Sequence, residues 1–231
     1  MTEAIQFGSK QIDFCLEFSN RKSLGITVTP DLNVLVKAPV DTSLEKVKEK
    51  LRKKAPWIIR QQSFFLSFHP KTPARKFIGG ETHLYLGRQY RLKILPSKTE
   101  SVKLKGQFIE VATIDKARAK QLVNEWYLQN AKIKLQSIAQ QLIDKFKKHK
   151  VEPSSIILRA MPTRWGSCTP KGKIILNPEL IKAPKGCIEY VIIHELCHLI
   201  HHDHTQKFID LQTKEMSDWE KWKMKLEKLL A

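Results

Sequence analysis

His194, Glu195 and His198 carry the most specific chemical signal in the chain. Two histidines four apart on a helix project from one face and can grip a single zinc ion. Glu195 is turned by about 100° from His194 around the axis, near the ion yet free to act as a base instead of a ligand. Tyr190, Val191, Ile192, Ile193, Leu196, Leu199 and Ile200 surround them, so this helix is apolar on nearly every side and reads as buried. Two imidazoles and a carboxylate in such a helix are costly without a partner, and a metal ion supplies one. H-E-x-x-H has few fixed positions and arises by chance, so a third ligand is what raises the signal.

His201, His202, Asp203 and His204 compete for that role. His201 lies ~10 Å along the axis from His194, and three ligands in a line cannot surround a tetrahedral ion with Zn–N bonds of ~2.0–2.1 Å. The third must come from chain that has turned back. His204, directly before Thr205 as a cap for a new helix, is the choice, with His202 second. His201 and His202 otherwise read as solvated histidines at a helix end. Asp203 either orients a ligand imidazole from behind or is a plain turn aspartate. The spacing H-E-x-x-H-x5-H puts the third histidine where metzincins have it, but His201 stands at their glycine position, so the turn must be made differently.

Around these residues the patterning predicts an α+β chain. Ile26–Thr29 and Val34–Val36 read as a hairpin about Asp31-Leu32-Asn33, followed by a helix over Ser43–Leu66 that Pro56 breaks or kinks. Strands follow at Thr82–Leu86, Tyr90–Leu95, Val102–Leu104 and Phe108–Ala112. Asp115 then caps a helix to Lys148, with Leu122, Trp126, Ala131 and Leu135 apolar. Short strands at Ser155–Arg159 and Lys173–Leu176 precede three helices, Lys185–His201, Thr205–Met216 and Asp218–Leu230. No internal repeat is visible. The composition shift near residue 115 divides a β-rich N-terminal region (1–114) from a helical region carrying the histidines (115–231).

The chain has 231 residues, 42% hydrophobic, enough to bury a real core. No apolar run approaches the ~18–20 residues of a membrane span, and Met1–Lys10 shows no secretory signal, so a soluble cytoplasmic protein is expected. Cys15, Cys168, Cys187 and Cys197 form no C-x-x-C pair and read as small buried hydrophobes, not disulfides. The formal charge of +18 favours anionic partners without choosing among nucleic acid, nucleotide phosphates and acidic surfaces.

His194-Glu-Leu-Cys-His198 with Asp203-His204-Thr205 and Phe208 resembles the YgjP-like metallopeptidases, a group related to SprT-like and minigluzincin zinc proteins. Arg164-Trp165-Gly166-Ser167-Cys168 resembles that family's other signature, as does Leu176-Asn177. Arg21–Leu24, Val36–Pro39, Leu86-Gly87 and Trp126-Tyr127 extend the likeness over nearly the whole chain. Ile209 departs from the pattern, which often has an aromatic there. The resemblance implies a β-rich N-terminal region and a gluzincin-like zinc core with a small sheet and an H-E-x-x-H active-site helix. It implies one Zn²⁺ (or another divalent ion) at His194, His198 and His204, with Glu195 as general base.

Three functions follow. In the first, a zinc metallopeptidase, Glu195 takes a proton from an activated water and passes it to the leaving amine. The second is hydrolysis of a nucleoside triphosphate such as UTP at the same site. Pyrophosphatase activity has been attributed to YgjP-like members, and Arg164 could grip a phosphate, although a structural arginine is the plainer reading. Trp165 is a candidate substrate contact but fits a core residue better. The third is a nucleic-acid-associated metalloprotein whose metal staples the fold.

Overall fold

Ile12, Phe14 and Leu16 alternate with exposed residues along Lys10–Ser19, and that period of two makes the stretch a half-buried strand. The computed structural model describes residues 2–8, 10–29, 31–66, 75–161 and 164–230, as an α+β chain in two units that part between residues 73 and 74. In the first unit, strands β1 (Thr2–Phe7), β2 (Lys10–Ser19), β3 (Gly25–Val28) and β4 (Val34–Pro39) form a sheet of order β1-β2-β4-β3. Its β2–β4 ladder is parallel and the outer two are antiparallel. The β3–β4 hairpin lies where the turn residues predict it, whereas the β1–β2 hairpin was not legible in the sequence.

Helix α1 (Leu44–Leu66) buries Val47, Leu51, Ala55 and Ile58 in the core of this unit. Pro56 lies inside it without ending it. Losing the proline's donor costs about 3 kcal/mol. Burying Leu51 and Ile58 on either side contributes ~1.5–3 kcal/mol each and outweighs that cost.

The second unit opens with β5 (Thr82–Tyr85), β6 (Arg88–Leu95), β7 (Ser101–Lys105) and β8 (Phe108–Ala112), in the order β5-β6-β8-β7. Again the central ladder is parallel and the outer two antiparallel, and again a long helix follows, α2 (Ala119–Phe146). Four strands and a helix thus occur twice. This repeat of topology was not anticipated, because a sheet needs only apolar alternation and two copies can share a topology without sharing residues. The composition shift near residue 115 therefore marks the start of a helical stretch inside the second unit and not the place where the units part. Asp115 caps a short 3-10 turn, Lys116–Arg118, accepting from the Ala117 amide at 2.9 Å, and α2 follows directly.

A third sheet, β9 (Ser155–Leu158), β10 (Gly166–Cys168) and β11 (Lys173–Leu176), has the order β10-β11-β9 and leaves β10 on an edge. Three helices close the chain: α3 (Lys185–Cys197), α4 (Gln206–Glu215) and α5 (Trp219–Leu230). Helix α3 is buried on almost every side, as its composition requires. It stops at Cys197 and not at His201: the amides of Leu199 and Ile200 bond only three residues back, which tightens the last turn and ends the helix. Thr205 precedes α4 in an extended conformation but makes no side-chain cap bond.

The β5–β6 turn clamps the chain that leads into α3. The Leu86 amide donates to Ile181 O at 2.8 Å and the Gly87 amide to Lys182 O at 3.0 Å. Gly87 has φ +78°, and a Cβ there would lie 2.6 Å from Cγ of Pro184, so only glycine fits. Tyr127 Oη on α2 donates to Leu84 O at 2.7 Å and secures the same strand. Among the described residues no helix is long and apolar enough to cross a membrane. All four cysteines are free; Cys187 and Cys197 are buried as expected, but Cys15 is exposed and Cys168 is only partly covered.

Candidate metal centre

His194 in the last turn of α3 and His198 at its C-cap face the same way, and the chain turns back to bring His204 against them. One ring nitrogen from each lies within 4.8 Å of the other two. His194 Nε2 and His204 Nε2 are 3.1 Å apart. His202, the second choice, lies outside this cluster. The buried Phe208 of α4 packs under all three imidazoles, its ring centroid 4.7–5.0 Å from theirs.

The far nitrogens of the two helix histidines are held. His194 Nδ1 donates to Gln212 Oε1 at 2.7 Å, and His198 Nδ1 donates to the His201 carbonyl at 3.2 Å. With both Nδ1 atoms protonated, each Nε2 presents a lone pair to the cluster. Burial lowers the pKa of His194 to about 4 and lowers that of His198, so both rings stay neutral at pH 7. The His194 Nε2 lone pair faces His204 Nε2 at 3.1 Å, a contact that a proton on His204 satisfies and that a divalent cation can satisfy in its place. Nitrogens bonded at ~2.0–2.1 Å to a tetrahedral ion stand roughly 3.3 Å apart, close to the His194–His204 separation. The donor set fits zinc.

Gln212, only 1% exposed, escaped the sequence reading. Its signal was a polar residue one helical turn beyond Phe208, on the apolar stripe of α4. Asp203, the anticipated orienting residue, is exposed and bonds none of the three rings among the described residues. Its carbonyl accepts the Thr205 amide at 2.8 Å, as a turn aspartate does.

Glu195 is buried beside the cluster, and its Oε2 has no hydrogen-bond partner among the described residues. Burial raises its pKa to about 7, opposed by a hydrogen bond from the Cys168 amide and by the charge of Arg164. A cation on the histidines would draw it down again. The carboxylate lies so close to β10 that a Cβ on Gly166 would be 2.6 Å from Oε1. That contact explains the glycine of R-W-G-S-C.

A cleft of about 630 Å³ opens over these groups, lined by the three histidines, Glu195, Arg164, His202 and residues 166–170. Trp165 is not part of its wall and packs against the hydrophobic core instead. Asn177 holds the chain beneath Arg164. Its Nδ2 donates to Met161 O at 2.7 Å and Arg164 O at 3.0 Å, its amide donates to Trp165 O, and its Oδ1 caps the 3-10 turn Pro178–Lys182.

The family model of the YgjP-like metallopeptidase domain matches residues 22–229. The chain belongs to that family. As a YgjP-like protein it is, at family level, a metallopeptidase-type hydrolase, for which a metal is implied and three histidines are in place to hold one. The match begins at residue 22, after β2, so β3, β4 and α1 of the first unit are part of the matched YgjP-like domain. The chain matches no curated protein and no solved structure significantly.

Proposed function

We propose that this YgjP-like protein is a zinc-dependent peptidase in which His194, His198 and His204 hold the ion and Glu195 is the general base. The observation that carries the reading is the unpartnered Oε2 of Glu195, buried beside three converging imidazoles. Zinc supplies Lewis acidity there, acidifying water and polarising a carbonyl. Gln212 and the His201 carbonyl fix the tautomers and orientation of the ligand rings. The Cys168 amide holds one side of the Glu195 carboxylate and leaves Oε2 to accept a proton from the attacking water. Glu195 then returns that proton to the leaving nitrogen. The helix carrying H-E-x-x-H, beside a small sheet, supports the gluzincin-like description of this core.

A peptide substrate is favoured by β10. Trp165 and Thr169 bond to β11 through their main chains, so the intervening Gly166 and Cys168 turn theirs away from it; the Cys168 amide meets Glu195, and the Gly166 groups and the Cys168 carbonyl face the edge that lines the cleft. Such an edge can pair with an extended peptide. Arg164 in the cleft wall favours a second reading, hydrolysis of a nucleoside triphosphate. The test is zinc-loaded protein offered casein and a panel of nucleoside triphosphates, wild type beside Glu195→Gln. The expected outcome is peptide cleavage that falls ~10²–10⁴-fold in the variant while zinc stays stoichiometric. Pyrophosphate release that depends on Glu195, without peptide cleavage, would establish the second reading instead.

A further inference from the structure

The first unit carries a groove remote in sequence from the histidines. It has a volume of about 460 Å³ and is lined by Leu24, Ile26, Lys50, Lys53, Lys54 and Trp57. Lys50, Lys54 and Trp57 follow one another at i, i+4 and i+7 along α1, so one helical face presents two ammonium groups and an indole. Trp57 is 37% exposed, although the stripe of α1 that adjoins its face is wholly buried. The helix holds seven Lys or Arg against two Glu. Lys53 pairs with Glu49, whereas the side chains of Lys50 and Lys54 make no ion pair or hydrogen bond among the described residues.

We propose that this groove binds single-stranded nucleic acid, with phosphates on Lys50 and Lys54 and a base stacked on Trp57. Uncompensated cations along a concave path are what a phosphate backbone requires, and an accessible indole among them accepts the face of any unpaired base. A duplex keeps its base faces stacked inside and gains nothing from the tryptophan. An acidic peptide would use the lysines but has no ring to lay on the indole. The face lies on α1, so the proposal does not depend on the reading given to Glu195.

The test uses the full-length protein and fluorescent oligothymidine, with an abasic strand of equal length, a duplex and polyglutamate as comparison ligands. Two phosphate contacts predict a slope of log affinity against log salt of about −1.4. Lys50→Gln with Lys54→Gln removes both contacts and brings that slope close to zero. Trp57→Ala weakens oligothymidine binding about tenfold and leaves the abasic strand unchanged, while Trp57→Phe restores most of the loss. These side chains are exposed, and unchanged circular dichroism verifies the fold of each variant. Absence of binding at low salt, affinity untouched by the lysine pair, equal weakening of both strands by Trp57→Ala, or polyglutamate competing as well as oligothymidine would each overturn the proposal.

Discussion

A Cβ at position 166 would lie 2.6 Å from Oε1 of Glu195 and 2.8 Å from Cγ1 of Val191, nearer than side-chain carbons normally approach. Gly166→Ala should displace the Glu195 carboxylate and overpack the face of α3. The expected result is a loss of about 1–3 kcal/mol in stability and a fall in turnover of the order of that in Glu195→Gln. Zinc should still bind, as equilibrium titration beside a urea melt will show. Gln212 acts differently, through His194. Gln212→Ala leaves His194 Nδ1–H without its acceptor and should weaken zinc binding ~10–100-fold, measured by chelator competition. Gln212→Glu keeps an acceptor at that nitrogen and should restore most of the affinity.

The elements that position these residues meet through a few polar ties. Asn177 joins the end of β11 to the segment carrying Arg164 and Trp165. Asn177→Ala strands two carbonyls and should cost about 1–3 kcal/mol, with faster amide exchange around residues 164–168 as the local readout. Helix α4, which carries Phe208 and Gln212, is tied at its end by Glu215. Lys148 Nζ and His149 Nε2, just past α2, approach its carboxylate at 2.8 and 2.9 Å. Burial alone would raise the Glu215 pKa, but the hydrogen bonds from Lys148 and His149 outweigh it and hold the group below the usual carboxylate range. A carboxyl whose folded pKa lies under its unfolded value of ~4.3 stabilises fully above that pH, and the contribution is lost as pH falls through the folded value. Stability should therefore drop on acidification below about pH 4. Glu215→Gln should flatten that limb while lowering stability at pH 7, as urea melts across pH will report.

For the whole molecule, metal binding at three histidines drawn from α3 and the segment before α4, as proposed, would couple the metal to folding. On the proposed reading zinc would bind the folded chain preferentially, so the melting temperature should climb with the logarithm of free zinc and fall on chelation. His204→Ala should abolish most of that dependence without unfolding the protein, because His204 is exposed while the rings on α3 are held by Gln212 and a carbonyl. Calorimetry with and without chelator checks it. The doubled pattern of four strands and a helix bears on the same scale, since the YgjP-like match begins inside the first copy, at residue 22, and takes in the whole of the second, which alone shares a unit with the histidines.

Much of the centre was legible because its geometry is local. His194, Glu195 and His198 stand in a relation that any helix creates, and the reversal that returns His204 follows from the impossibility of three ligands in a line. Strands β3 to β8 and the long stripe of α1 were legible for the same reason, whereas β1 and β2 were not. What required the folded chain was approach between distant segments. Gln212 lies 18 residues beyond the ring it orients. The Cys168 amide reaches Glu195 from a strand of three residues, too short to show any period. The end of α3 at Cys197, the Pro56 that leaves α1 intact and the core position of Trp165 were likewise settled by packing. Local patterns are written in spacing along the chain, whereas contacts between elements depend on which buried surfaces find one another, and spacing does not record that.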